Sequence, residues 1–151
     1  MSTEPTGQAR IRAPGDAPLP FVLASASPTR RRMLEQAGVP IAAAEQPGVD
    51  EGEIKAALGA DGAGPEDVAE ALAEMKALRV AGRHPGSLVM GADQMLECEG
   101  TWLDKPTSRE EAAKTLSRLS GRRHRLIACA VVVKDGGRIW HRIDSAELTV
   151  R

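Results

Sequence analysis

Aromatic residues are almost absent from this 151-residue chain: they make up 2% of it, and there is no tyrosine. Proteins that bind single-stranded nucleic acid stack the bases on aromatic side chains, so this class is disfavoured. The formal net charge is −1, which gives no overall basic field to attract a nucleic-acid polymer or an anionic membrane. The composition therefore argues against a nucleic-acid polymer or an anionic membrane as the partner.

Cysteines and long apolar stretches are also scarce. Cys98 and Cys129 are the only cysteines, they form no C-x-x-C pair, and no apolar segment follows the N-terminus. Two cysteines without a signal peptide are typical of the reducing cytoplasm. No stretch approaches the length of a transmembrane helix. We therefore predict a cytoplasmic protein with no membrane partner, in which both cysteines are buried apolar residues.

The order of apolar segments predicts one α/β domain. Residues 1–19 are rich in Pro, Gly, Thr and Ala and are predicted to be a disordered leader. In residues 20–151, strand-like runs alternate with helical segments, and LIACAVVV and RIWHRI have the pattern of a hairpin. We expect a mixed sheet flanked by helices. The predicted core-facing helical residues are Met33, Leu34 and Ala37, then Val68, Leu72, Met75 and Leu78, and then Ala112, Leu116 and Leu119.

The segment LASASPTRRRML places three arginines at the start of a helix. Ser27 has the features of an N-cap and Pro28 those of the first helical residue. A helix N-terminus already carries partial positive charge, so arginines there suggest an anionic ligand. Small residues before the helix would let backbone N–H groups approach a phosphate, although a solvated basic helix face would show the same triplet.

Carboxylates and lysines elsewhere in the chain are candidates to complete a phosphate site. Asp93 follows the strand-like run SLVMGA, and we expect it at the end of that strand, before a turn. Glu51 lies in the acidic segment VDEGE, while Lys76 and Lys105 could contact phosphate oxygens. Each has an ordinary structural alternative: a capping aspartate, a solvated turn or a surface lysine. The three histidines show no metal-ligand spacing, and we expect them to be structural or exposed.

Six short segments, taken in order, resemble the Maf-like proteins, a family of nucleoside triphosphate pyrophosphatases. They are LASASPTRRRML, VDE, EMKAL, GADQML, LDKP and LSGRRH. The resemblance begins near Phe21 and continues to the end of the chain. It implies an α/β fold of the Maf and inosine-triphosphatase type, with two lobes around a cleft. It also implies metal-dependent hydrolysis between the α- and β-phosphates of non-canonical or modified nucleotides.

Site residues follow from this resemblance motif by motif. The resemblance implies that Asp93 is the base that activates water and that Glu51 and Asp93 bind a divalent cation, Mg²⁺ or Mn²⁺. It implies that the triphosphate is held by Ser27, Arg30, Arg31, Lys76 and Lys105. A glutamine after the aspartate, here Gln94, is similar to the branch of the family that acts on 7-methyl-GTP and some pyrimidine triphosphates.

The chain departs from the family pattern at its C-terminal end. Family members continue beyond SAELTVR into a segment that lines the cleft, so we expect residues 20–151 to be a Maf-like domain without the usual C-terminal segment. Apolar residues alternate in 145–151, which predicts a half-buried strand with an uncovered face. We therefore expect weakened activity and self-association into a homodimer. Two other hypotheses remain open: a nucleotide-binding regulator of septum formation, and an inactive enzyme fragment.

Overall fold

The computed structural model describes residues 18–151, and residues 1–17 of the predicted leader lie outside this range. The strands in it are β1 (Phe21–Leu23), β2 (Ala43–Ala44), β3 (Leu88–Cys98), β4 (Thr101–Leu103), β5 (Arg123–Lys134) and β6 (Gly137–Thr149). The helices are α1 (Pro28–Gln36), α2 (Glu51–Ala60), α3 (Pro65–Ala81) and α4 (Arg109–Leu119). No helix among these has the length and apolar character needed to cross a membrane.

The strands form one mixed sheet, as the sequence predicts. The strand order is β2-β1-β3-β5-β6, and β4 pairs with β3 beside this path. Strand β1 is parallel to both β2 and β3, whereas β5 is antiparallel to both β3 and β6. Parallel strands place their carboxyl ends at the same edge of a sheet, where α/β proteins bind ligands. The turn from β1 into α1 therefore lies at that edge.

Helix α3 forms the core by packing on β3 and β5. Its contact face consists largely of alanines and valines, and it packs on Val89, Met95, Ile127 and Val131 of the sheet. Gly91 makes this close packing possible, because a Cβ atom there would lie 2.0 Å from the carbonyl oxygen of Ala73.

The predicted core faces of the helices are partly wrong. Val68 and Leu72 are buried, but Met75 and Leu78 are exposed. Because α3 approaches the sheet closely at Gly91, its smaller side chains face the sheet. The buried face of α3 continues through Ala69, Ala73, Ala77 and Val80.

The two short helices α1 and α4 are more exposed than the sequence predicts. No residue of α1 is buried, and Met33 is 64% exposed. In α4 only Leu119 is buried, and Leu116 is 59% exposed. Apolar residues at helical spacing indicate one face of a helix, but that face is buried only where another element packs against it. Among the described residues, no element packs closely against α1 or α4.

One predicted boundary also differs from the structure. Strand β3 does not end at Asp93 but continues to Cys98, because its pairing with β5 extends unbroken from Val89 to Glu97. Helix α4 begins with a capping box in which Ser108 is the N-cap, and the side chain of Glu111 accepts a hydrogen bond from the Thr107 backbone N–H.

Strand β6 contains most of the segment that the sequence predicts to be half-buried. It lies at the edge of the sheet, and residues 145–149 are exposed on both sides. The prediction of half-burial is therefore wrong for this segment, and Leu148 is 42% exposed. The predicted hairpin itself is confirmed, since β5 and β6 pair along nearly their whole length.

Candidate functional site

A cavity of about 550 Å³ opens beside the turn that connects β1 to α1. Residues 24–30 form one wall and residues 46–49 another. Three charged side chains line the remainder: Glu51, Lys76 and Lys105. The cavity therefore combines a helix start with side chains of both charges, all at the carboxyl edge of the parallel strands.

Local hydrogen bonds fix the helix start at this cavity. The side chain of Ser27 accepts a hydrogen bond from the Arg30 backbone N–H at 3.3 Å, which confirms Ser27 as the N-cap. Ser25 is buried, and its hydroxyl accepts a hydrogen bond from the Ser27 N–H at 3.1 Å. The first turn of α1 contains no acidic residue, so its partial positive charge is not offset within the helix.

The arginines of α1 have different positions. Arg30 lines the cavity. Arg31 is not among the lining residues; its guanidinium pairs with Glu35 at 2.9 Å, one helical turn onward. Arg32 is exposed. The structure thus brings Arg30 to the site directly, whereas Arg31 would have to leave Glu35 to contact a ligand there.

The centre of the site is a buried lysine between two carboxylates. The ammonium of Lys76 lies 2.9 Å from Oδ1 of Asp93 and 2.6 Å from Oε1 of Glu51. It also donates a hydrogen bond to the carbonyl of Ala92 at 3.3 Å. Lys76 is 4% exposed, so the surface-lysine alternative is wrong. A lysine is rarely buried without such partners.

Asp93 is held in an unusual state for an aspartate. Its side chain is buried and is not among those that line the cavity, and within residues 18–151 its Oδ2 has no hydrogen-bond partner. Burial raises the pKa of Asp93 above the ordinary value of 3.8, while the nearby Lys76 ammonium opposes that rise. A carboxylate with a raised pKa and a free oxygen is suited to accept a proton.

Helix α2 supplies Glu51 from its first turn. Asp50 is the N-cap, and its Oδ1 accepts a hydrogen bond from the Glu53 N–H at 3.0 Å. Asp50 therefore has a structural role, which leaves Glu51 free to contact Lys76. The predicted solvated turn is thus a helix start, and its acidic residues lie where the helix dipole favours them.

Lys105 and Gln94 complete the set of predicted site residues. Lys105 lines the cavity from the loop between β4 and α4. Gln94 follows Asp93 in β3 and is exposed. Since successive side chains in a strand point to opposite faces, Gln94 lies on the other face of the sheet from Asp93, and it does not line the cavity.

The segment from 46 to 49 is the part of the site that the sequence analysis missed. Just before it, Glu45 pairs with His84 at 2.6 Å and with Arg83 at 3.0 Å, which ties the segment to the end of α3. These contacts lower the pKa of Glu45, chiefly through the hydrogen bond with His84. The Pro47-Gly48 turn signals a loop, but nothing in it indicates that the loop borders a ligand site.

Two cysteines are the remaining candidates for chemistry in the described part of the chain. Cys98 and Cys129 are buried, as predicted. Desolvation raises the pKa of Cys129 to about 11. Within residues 18–151, no group of three or more His, Cys, Asp or Glu side chains is arranged to hold a metal ion.

Comparison with known proteins gives the family. A family model described as "Maf-like protein" matches residues 20–151. The chain belongs to the Maf-like family. A curated relative from Paramagnetospirillum magneticum, named nucleoside triphosphate pyrophosphatase, is 48% identical over 130 residues, which cover 86% of this chain and 66% of the relative. A relative of the same name from Ruegeria pomeroyi is 44% identical over 133 residues, covering 88% of this chain and 66% of the relative.

The matches cover a larger share of this chain than of its relatives. This Maf-like chain spans about two thirds of the length of its curated relatives, since 66% of each is covered. Among known structures, a HAM1 protein from Coxiella burnetii superimposes with a TM-score of 0.50 at 15% identity, covering 85% of this chain and 70% of that one. The likeness supports the predicted fold class.

Proposed function

We propose that this Maf-like chain forms the phosphate-binding and catalytic part of a nucleoside triphosphate pyrophosphatase. The reaction is hydrolysis between the α- and β-phosphates, which releases a nucleoside monophosphate and pyrophosphate. The observation that carries the proposal is the ion-paired cluster of the buried Lys76 and Asp93 with the exposed Glu51, beside a cavity with a helix start. The names of the curated relatives support the same activity.

Phosphate binding is assigned to the positive groups around the cavity. The start of α1, the Arg30 guanidinium and the ammonium groups of Lys76 and Lys105 all border it. Together they would offset the charge of a triphosphate, which otherwise repels an attacking nucleophile. Ser27 keeps the helix start in place and Arg31 joins the set once it leaves Glu35.

Asp93 is assigned the role of general base. Its Oδ2 has no partner in the part of the chain that the structure describes, and we infer that it accepts the proton of the water that attacks the α-phosphorus. The water oxygen forms the new bond to phosphorus, and the bond to the bridging oxygen breaks, so that pyrophosphate leaves. Lys76 stabilises the ionised carboxylate that this step requires.

Glu51 and Asp93 are the residues that would hold a divalent cation, Mg²⁺ or Mn²⁺. Proteins commonly bind Mg²⁺ through one or two carboxylates together with substrate phosphates, and the Glu51 carboxylate lines the cavity, where it is a suitable oxygen donor. When bound, such a cation neutralises phosphate charge and polarises the phosphoryl oxygens. Two carboxylates suffice for this mode, in which the substrate supplies further ligands.

A modified base such as that of 7-methyl-GTP is our proposal for the preferred substrate; it follows from the resemblance at Gln94, which lies outside the cavity. The direct test is pyrophosphate release from a panel of nucleoside triphosphates, including 7-methyl-GTP, with Mg²⁺ or Mn²⁺ and with a chelator. Release of pyrophosphate rather than orthophosphate, in a reaction that requires the metal, supports the enzyme. Tight binding without release would favour a nucleotide-binding regulator instead. The absence of both binding and release would refute the proposal for this chain.

The arginines provide a prediction with an internal control. Arg30→Ala is expected to weaken binding of a nucleoside triphosphate more than that of the monophosphate, because its proposed partners are the outer phosphates. Charge-assisted hydrogen bonds of this kind contribute roughly 1.5–3 kcal/mol. Arg31→Ala should have a smaller effect in the same direction, because Arg31 must first leave Glu35. Calorimetric titration with both nucleotides measures the difference.

The exposed Arg32 is the matched control for this series. Arg32→Ala removes the same charge from the same helix and should leave both affinities near those of the parent chain. Equal losses for triphosphate and monophosphate in Arg30→Ala would point to a folding defect rather than to contacts with the outer phosphates.

A further inference from the structure

We infer that an ion pair between Lys55 and Asp104 positions Lys105 at the cavity and thereby controls triphosphate affinity. The Nζ atom of Lys55 lies 3.0 Å from Oδ1 of Asp104. The inference deepens the proposed function, on which it rests, by adding two positioning residues outside the phosphate contacts.

The position of Lys55 on α2 connects it to the site. Lys55 follows Glu51 by four residues, so the two side chains lie on the same face of the helix, one turn apart. The Lys55 side chain is only 18% exposed, which is low for a lysine. It also lies near enough to Asp93 to lower the pKa of that carboxyl, although burial and Lys76 have larger effects.

The partner, Asp104, immediately precedes Lys105 in the loop between β4 and α4. The Asp104 side chain is 76% exposed, and the contact with Lys55 is its one ion pair within the described residues. Lys105 lines the cavity although it is exposed. The pair therefore joins the helix that supplies Glu51 to the loop that supplies Lys105, across the edge of the cavity.

Such an ion pair is suited to positioning rather than to global stability. Pairs with one solvent-exposed partner contribute little to the free energy of folding. The loop that contains Lys105, however, must be ordered before this lysine can bind phosphate. A tether removes part of the entropic cost of that ordering. Loss of the pair should therefore affect affinity while the protein remains folded.

The experiment is a double-mutant cycle made of Lys55→Met, Asp104→Asn and the combined variant. Binding of inorganic triphosphate in the presence of Mg²⁺ is measured by calorimetry. Each single variant should bind roughly two- to fivefold more weakly, which is the range expected for an exposed ion pair. The combined variant should bind no more weakly than either single variant, because the second change has no remaining contact to remove.

Asp104→Asn separates the tether from a direct effect of Lys55 on Asp93. Asp104 is not among the groups that shift the pKa of Asp93. If the tether is responsible, both single variants raise KM to a similar extent, and Asp104→Asn leaves the pH profile of kcat unchanged. If Lys55 acts only through Asp93 instead, Lys55→Met shifts the acidic limb of that profile while Asp104→Asn leaves KM at the parent value, and the inference is overturned. Lys114→Met, which removes an exposed lysine of α4, is the matched control.

A readout without ligand tests the tether independently. Hydrogen exchange at residues 103–108 should increase in both single variants of the free protein and stay unchanged in Lys114→Met. Unchanged exchange in the single variants, or additive losses of affinity in the combined variant, would overturn the inference. If the parent chain binds no triphosphate, the proposed function and the control of affinity by this pair both fail, and hydrogen exchange then shows only whether the contact orders the loop.

Discussion

Asp93→Asn is expected to lower pyrophosphate release by about 100-fold or more, the usual loss when a general base is removed. The amide has nearly the same shape as the carboxyl but cannot accept the proton of the attacking water. Triphosphate binding should change little, since the cations around the cavity are retained. Steady-state release and calorimetric affinity, measured on the same preparation, give the two numbers.

The variant should also remain folded, which makes the loss of turnover interpretable. Burial raises the pKa of Asp93, so the folded state disfavours its ionised form. The stability contributed by this group is therefore lost as the pH rises from the ordinary value of 3.8 through the raised pKa. An asparagine removes this penalty near neutral pH, and Lys76 keeps Glu51 as its partner at 2.6 Å.

Asp144→Asn is the matched control, because it makes the same chemical change on the exposed strand β6. It should leave turnover and affinity at the parent values. Turnover of Asp93→Asn close to that of the parent chain would show that Asp93 is not the base. An unfolding temperature well below that of the parent would assign any loss to the fold instead.

The sequence predicts the positions of the site motifs better than it predicts their surroundings. Ser27 and Pro28 define the start of α1 locally, since a cap depends on residues within one turn. Asp93, by contrast, was expected at the end of a strand. Pairing with β5 carries β3 past Asp93 to Glu97, and β4 pairs with the last residues of β3, Leu96 to Cys98. Asp93 itself pairs with the distant Cys129 of β5, and local sequence contains no record of that pairing.

Burial of charged residues was the hardest feature to predict. Lys76 alone has the features of a surface lysine, and it becomes a buried group only when Glu51 and Asp93 arrive from two other elements. Similarly, the contact between Lys55 and Asp104 joins residues 49 positions apart. Helical periodicity also misjudged α3, because Met75 and Leu78 match the spacing of a core face that the alanines occupy instead.

Gly91→Ala is expected to have the largest effect on the fold, and with it on the site. A Cβ atom at this position would lie 2.0 Å from the Ala73 carbonyl oxygen and 2.7 Å from the Ala77 nitrogen. Both are backbone atoms, so no side chain can move to relieve the overlap, and α3 itself must shift. Overpacking usually costs about 1–3 kcal/mol, and a backbone clash of this kind should reach about 3 kcal/mol or more.

The physical reason links this glycine to catalysis. Lys76 lies three residues after Ala73 in α3, and Asp93 lies two residues after Gly91 in β3, so a shift of the helix separates the 2.9 Å ion pair between them. Gly91→Ala should lower the unfolding temperature by roughly 6 °C or more. It should also lower turnover of the protein that remains folded, measured well below that temperature.

Gly82→Ala is the control for the added methyl group. Gly82 has an ordinary right-handed helical conformation, and a Cβ atom there would lie 4.0 Å from its nearest neighbour, the carbonyl oxygen of Arg79. It should be neutral or stabilise the protein by about 0.4–1 kcal/mol. Adding Ala73→Gly to Gly91→Ala should restore nothing, because the clash is with the backbone of residue 73. If Gly91→Ala unfolds at the parent temperature and keeps its activity, the close approach of α3 to β3 is not what holds Lys76 against Asp93.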